Sequence, residues 1–154
     1  MRVDVQPGCF ICRIALDPDE SVVVKNDAAI VYMSRDQRPA NRGHVGVAPV
    51  QHHQSGVELP EAVVTSLAMM TRALMVAVQS AFEADGVTVH QHVGTKIGQH
   101  VDHEHWHVVP RYQDDDYWAS VGAREHEFLH VPPFELLKQA GTLREVLARR
   151  EHQC

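Results

Sequence analysis

The clearest periodicity in the chain lies in residues 60–84, where Val63, Leu67, Met70, Leu74, Val78 and Phe82 recur at three- and four-residue steps and predict one long helix with an apolar stripe. Pro60 suits its first turn, and Gly86 follows where a chain reversal is expected. Shorter stretches alternate instead. Residues 21–25 and 29–33, separated by Asn26-Asp27-Ala28, predict a valine-rich hairpin, and residues 44–50 and 87–93 predict two further strands. Residues 94–98 make a turn into a fifth strand ending near Val109, and two strands joined by so short a connection pair antiparallel. Residues 36–43, with Pro39 and Gly43, read as a loop. After Pro132-Pro133, residues 134–150 carry Leu136, Leu137, Leu143, Val146 and Leu147 and predict a C-terminal helix interrupted at Gly141. These elements sum to an α+β domain: a mostly antiparallel five-stranded sheet, one long helix packed on it, and a C-terminal helix.

The fifth strand carries unusual chemistry. In His103-Glu104-His105-Trp106-His107 three imidazoles alternate with other residues, so a strand sets them on one face, about 6.6–7 Å apart at the Cα level, with Glu104 and Trp106 opposite. Three readings follow: a histidine-rich strand without chemistry, a metal site, and nucleophilic catalysis in which one ring attacks phosphorus while its neighbours hold the reactive tautomer. Spacing alone leaves these open. The flanks favour the last, because the turn between Gly94 and Gly98 offers backbone N–H groups to an anion and Gln99 and His100 add donors at the same end.

The 154-residue length fits a single domain, and the formal net charge of −6 opposes binding of a long polyanion, so nucleic acid is an unlikely partner while a small phosphorylated ligand stays compatible. No uninterrupted apolar run reaches about 18 residues, and the start lacks a signal-peptide core, so no membrane partner and a cytoplasmic location are the expectation. Three cysteines argue against a disulfide framework; Cys9-x-x-Cys12 reads as metal or redox, and Cys154 as a bystander. Asp114-Asp115-Asp116 reads as a solvated acidic loop, with Tyr117-Trp118 packing onto the domain or a partner subunit.

The ordered set Gly98-Gln99-x-Val101-x-His103-x-His105-x-His107-Val108-Val109-Pro110-Arg111 resembles the signature of the histidine triad (HIT) superfamily of nucleotide hydrolases and transferases. Cys9-x-x-Cys12, Asp36-x-x-Pro39, Gly43-His44, Pro49-x-x-His52 and Gly94 agree in order, so the likeness spans residues 9–112, after a tail at 1–8 and before an extension at 113–154 that packs on the domain or on a dimer partner. The resemblance implies a homodimer with the sheet continued across the interface and a purine nucleotide or nucleotide conjugate bound over the triad. It implies His105 as nucleophile, His107 on the phosphate, His103 orienting the catalytic ring and His52 as a further pocket histidine. Asp36 would take the ribose hydroxyls, with His92, Gly98, Gln99 and His100 binding substrate. Cys9, Cys12, His52 and His103 would form a structural zinc site like that of cysteine-bearing members, and no organic cofactor is expected. The implied reaction cleaves a nucleoside phosphoramidate, an adenylate conjugate or a dinucleoside polyphosphate through a nucleotidyl-histidine intermediate; the alternatives are a non-catalytic nucleotide-binding module and a hydrolase whose histidine row holds a catalytic metal.

Three positions depart from the superfamily pattern. His92 stands where asparagine is usual, His100 where serine or threonine is frequent, and Glu104 where the spacer is normally apolar. An imidazole at 100 can still donate a proton to a leaving group. A carboxylate at 104 facing the sheet interior needs a partner, for which Arg72 is the candidate.

Overall fold

A computed structural model describes residues 5–122 and 128–151. Cys154 lies outside them, as does the first part of the expected tail. The chain runs α1 (Phe10–Leu16), β1 (Val22–Lys25), β2 (Ala29–Met33), β3 (Asp36–Gln37), β4 (Val45–Pro49), α2 (Glu61–Phe82), β5 (Gly86–Gln91), β6 (Trp106–Arg111), α3 (Tyr117–Gly122), β7 (Leu129–His130) and α4 (Pro133–Glu151). Five strands form one antiparallel sheet in the order β1-β2-β4-β6-β5, while β3 and β7 pair separately.

The sheet is covered on both faces. Val31, Val45, Val47 and Val108 meet Leu67, Leu74 and Val78 of α2 and Leu136, Ala140 and Leu143 of α4 in the main core. Ile30, Tyr32 and Ala48 meet Ile11, Ile14 and Ala15 of α1 on the other side. Over an 18-residue window α2 has a mean hydropathy of 1.5, so by length and composition alone it is long and apolar enough to cross a membrane, although polar residues such as Thr71 and Arg72 interrupt its apolar run; here its stripe lies on the sheet.

Several local expectations change. Glu83, not a glycine, takes the left-handed position that ends α2 (φ 51°), and Gly86 opens β5. Helix α4 runs through Gly141 without a break, since one glycine costs only about 1 kcal/mol and the packed leucines on either side outweigh it. Helix α1 was hidden by its shortness; Cys9 caps it, its sulfur accepting the N–H of Cys12.

The largest change concerns the histidine strand. The ladder of β6 begins at Trp106, where Val47 is the partner on β4 and Gln91 on β5. Residues 101–105 leave the sheet because other groups claim them: the N–H of Glu104 donates to the carbonyl of His53 (2.7 Å), and His103 Nε2 donates to the carbonyl of Pro49 (2.9 Å). The three imidazoles therefore do not share one strand face; only His107 sits in the ladder.

Candidate functional site

Cross-strand register builds the site. Tyr32 on β2 pairs with Gly46 on β4, Gly46 with His107 on β6, and His107 with His90 on β5, so four side-chain positions stand in a row on the α1 face of the sheet. Gly46 is required there, because a Cβ would lie 2.4 Å from Cζ of the Tyr32 ring. Above this row opens a cleft of about 1120 Å³ lined by His44, His90, His92, His100, His105 and His107, with Asp36 and Arg38 on one rim and Tyr117 and Trp118 on another.

His105 donates from Nδ1 to the carbonyl of His103 at 2.8 Å, which leaves Nε2 as the bare nitrogen. Burial and the neighbouring rings of His92 and His100 lower its pKa, favouring the neutral, nucleophilic form. Its ring centroid is 4.7 Å from that of His107. His44 Nε2 lies 2.9 Å from His107 Nδ1, and His44 also donates to the backbone carbonyl of Asp36. With one nitrogen of His44 donating to that carbonyl, its Nε2 accepts from His107 Nδ1–H. His107 then presents a bare Nε2. Burial depresses both, His44 to about 3 and His107 further, with repulsion among the clustered rings adding to it.

His103 and His52 lie elsewhere. Both side chains face the cysteines rather than the cleft, so His52 is not a pocket histidine, while His103 orients the catalytic ring through its backbone carbonyl rather than its imidazole. His103 Nδ1 is 3.4 Å from Cys9 Sγ and 3.5 Å from Cys12 Sγ, and His52 Nδ1 is 3.4 Å from Cys12 Sγ. These four ligand atoms lie within 4.8 Å of one another. Zinc bonds of about 2.3 Å to sulfur and 2.0–2.1 Å to nitrogen in a tetrahedron put sulfur and nitrogen about 3.5 Å apart, so the donor set fits zinc. The bond from His103 Nε2 to Pro49 fixes the tautomer with Nδ1 free for a metal, and burial holds that ring's pKa down to about 4. His52, not its neighbour His53, supplies the second imidazole. A histidine row chelating one metal is ruled out as a description of this geometry, because His103 turns to the opposite side from His105 and His107.

Gln99 is also reassigned. Its side chain is buried and committed to the loop, accepting from the N–H of Gly94 (2.9 Å) and donating to the carbonyls of Gln54 and Val101, so it braces the turn and offers no donor to the cleft. Gly98 lines the cleft at φ 120°, with its Cα face against His92, where a Cβ would stand 3.1 Å from Nδ1. Asp36 is exposed on the rim, and its Oδ1 meets His130 Nδ1 at 3.1 Å. Glu104 is 0 % exposed with neither oxygen hydrogen-bonded; Gly56 N–H and Trp106 Nε1 face it without closing a bond, and burial pushes its carboxyl up. Arg72 is exposed on α2 and makes no ion pair with it among the described residues.

Sequence reasoning missed His44 and His90 as cleft residues. The signal for His90 was present: His90-Gln91-His92 alternates within the strand that pairs with the triad strand. Asp115, expected in solvent, is instead buried under Arg111, accepting from Nε and NH2 at 2.7 Å each. Arg111 in turn lies 4.3 Å from the centroid of the Tyr117 ring, which puts that ring on the cleft wall.

An α+β domain with a cleft lined by imidazoles on one face of the sheet defines a histidine-based ligand site. Residues 17–114 match the family model described as HIT domain, and the chain belongs to this family. It is 32% identical over 108 residues to an uncharacterized HIT-like protein of Saccharolobus solfataricus, covering 70% of this chain and 76% of that protein. It is 27% identical over 150 residues to an adenylylsulfatase of Arabidopsis thaliana, covering 97% and 72%. The crystal structure of a zinc-bound histidine triad family protein from Mycobacterium smegmatis matches the fold with a TM-score of 0.76 at 23% identity, covering 96% of this chain and 98% of that one.

Proposed function

We propose that the protein is a nucleotidyl hydrolase or transferase acting on the α-phosphate of an adenylate conjugate or nucleoside phosphoramidate through His105. The observation that carries this reading is the hydrogen bond from His105 Nδ1 to the carbonyl of His103, which leaves Nε2 bare in a cleft large enough for a nucleotide. Nε2 attacks phosphorus, a P–N bond forms, and the bond to the leaving group breaks as that group takes a proton, with His100 at the cleft edge as donor. Water then attacks the phosphorus, giving a proton to the His100 imidazole left neutral by the first step, while the P–N bond breaks and its electron pair returns to His105. His107 is the phosphate contact: the arriving negative charge offsets burial, Nε2 takes a proton, and the imidazolium stabilises the pentacoordinate oxyanion. Asp36 on the rim holds the ribose hydroxyls.

The cysteine–histidine cluster belongs to the same reading as a structural zinc site held by Cys9, Cys12, His52 and His103. The reading also includes a cytoplasmic homodimer whose sheet continues across the interface, for which the open edge of β5 offers unpaired backbone groups. The similarity to an adenylylsulfatase supports an adenylate as the transferred group.

The test is a single-turnover reaction with an adenylate conjugate, quenched and read by mass spectrometry of the intact chain. The expected result is an adenylyl adduct on His105, and a His105→Ala variant that folds but loses turnover by on the order of 10³-fold or more. Unchanged turnover in that variant refutes the mechanism; nucleotide affinity without turnover in the unaltered protein replaces it with a non-catalytic binding module.

A further inference from the structure

The cleft holds more imidazole than one nucleophile and one phosphate contact use. His90 and His107 are cross-strand partners whose rings stack at 4.6 Å between centroids and 20° between planes. His92, two residues along from His90, stands edge-on to both, with centroids 5.1 Å and 5.9 Å away. One ring nitrogen of each of the three lies within 4.8 Å of those of the other two. No carboxylate or thiolate belongs to this group. It is separate from the cysteine cluster, with which it shares no residue.

We propose that His90, His92 and His107 form a second metal site, which takes a divalent transition-metal ion of the zinc, nickel or copper class. Three features carry this. First, the ligands are imidazoles alone, which suit these ions and not magnesium or calcium. Second, the chain of hydrogen bonds from His107 Nδ1 through His44 to the carbonyl of Asp36 leaves Nε2 of His107 as a lone pair facing the cleft, and a hydrogen bond at the other ring nitrogen is what fixes the tautomer and orientation of a ligating histidine. Third, three protein ligands leave an open coordination position toward the cleft, where a water or an anion binds.

Ligation requires local movement. Metal–nitrogen bonds of about 2.0–2.1 Å bring tetrahedral nitrogens to about 3.3–3.4 Å of one another, and an ion cannot lie in the planes of two parallel rings at once. Binding therefore opens the His90–His107 stack by side-chain rotation. That rotation exchanges the His90 stack on His107 and its long 3.5 Å contact from Nδ1 to the Tyr117 hydroxyl for a bond to the ion. The ion takes Nε2 of His107, the atom assigned above to the phosphate. The site itself stands whether or not the chain turns over a nucleotide.

The experiment titrates the full chain, stripped by a chelator, with Co²⁺, reading bound equivalents by calorimetry and thiolate-to-cobalt charge transfer by absorption. The cysteine cluster reports itself through sulfur; the three-histidine site does not. The unaltered protein is expected to bind one equivalent without the thiolate signature, beside any equivalent that carries it. His90→Asn and, independently, His92→Asn should lose that equivalent and keep the thiolate signal, with unchanged circular dichroism as the folding check. An unaltered protein that binds cobalt only with the thiolate signature overturns the proposal, as does a folded His90→Asn and His92→Asn pair that keeps the sulfur-free equivalent.

Discussion

Replacing Asp115 by asparagine tests the reading that a residue within a run of three aspartates is a buried structural anion. Its side chain is 1 % exposed and both oxygens are fully used: Oδ2 accepts from Arg111 Nε, Asn41 Nδ2 and the N–H of Tyr112, and Oδ1 from Arg111 NH2 and the N–H of Tyr117. All five partners are donors, so either orientation of an amide sets its NH₂ against another donor. Breaking a buried ion pair from one side costs about 3–5 kcal/mol. The Arg111 side chain keeps 18 % exposure and can recover some hydration, which places the expected loss at the lower end, about 3 kcal/mol. The pH dependence follows from the direction of the shift: the Arg111 guanidinium holds the Asp115 carboxyl well below its ordinary value of 3.8, so the unfolded chain binds the proton more readily. The stabilisation is complete above the ordinary value and lost as pH falls through the folded one. Urea unfolding followed by circular dichroism should give a gap between the two proteins that is flat from about pH 8 to about pH 5 and narrows only in stronger acid. Asp114→Asn and Asp116→Asn, at exposed positions, should stay within about 0.5 kcal/mol. A loss at Asp115 below about 1 kcal/mol, the range of surface pairs, refutes the assignment.

Gly46→Ala sets a Cβ 2.4 Å from the buried Tyr32 ring, and is expected to cost about 1–3 kcal/mol in urea unfolding; a change under about 0.5 kcal/mol would mean that Tyr32 does not roof this position. If the cysteine cluster holds zinc, Cys12→Ser lowers the metal retained after gel filtration to well below one equivalent at that site and lowers Tm, while chelation lowers Tm only in the unaltered protein. Equal Tm with and without chelator in a fully loaded sample would remove the structural role.

What was legible in the sequence is what depends on neighbours along the chain. The stripe of α2 and the alternation of β1, β2, β4 and β5 are local patterns; β5 and β6 do pair antiparallel as expected, but across residues 92–105 rather than across a short turn at 94–98. The spacing of the triad marked the right place but assigned the rings to one face, because a ladder was assumed where the ladder had ended. His103 turns away for reasons 54 to 94 residues distant, at Pro49 and the two cysteines, and no local pattern announces that. The same holds for Asp115. Three consecutive aspartates look solvated; that one of them folds back under an arginine four residues earlier depends on the turn between them and on Asn41 from another part of the chain. The convergence of His44 and His90 on His107 needs the register Gly46↔His107↔His90, a property of the assembled sheet.

The segment between β5 and β6 carries the candidate nucleophile, yet its second half has no ladder bonds to position it. Anchors outside the ladder substitute. Gln99 ties the turn to Gly94, Gln54 and Val101, Glu104 is held by the carbonyl of His53, and His103 is held at both ring nitrogens, by Pro49 and by the cysteine sulfurs. The carbonyl of His103 is the group that orients His105. Successive histidines thus divide the labour. One points into the protein and fixes the backbone, and that backbone fixes the tautomer of the next, which points into the cleft. A ladder would have held the segment more simply, but it would also have set His103 and His105 on the same side, leaving the cysteines without their imidazole.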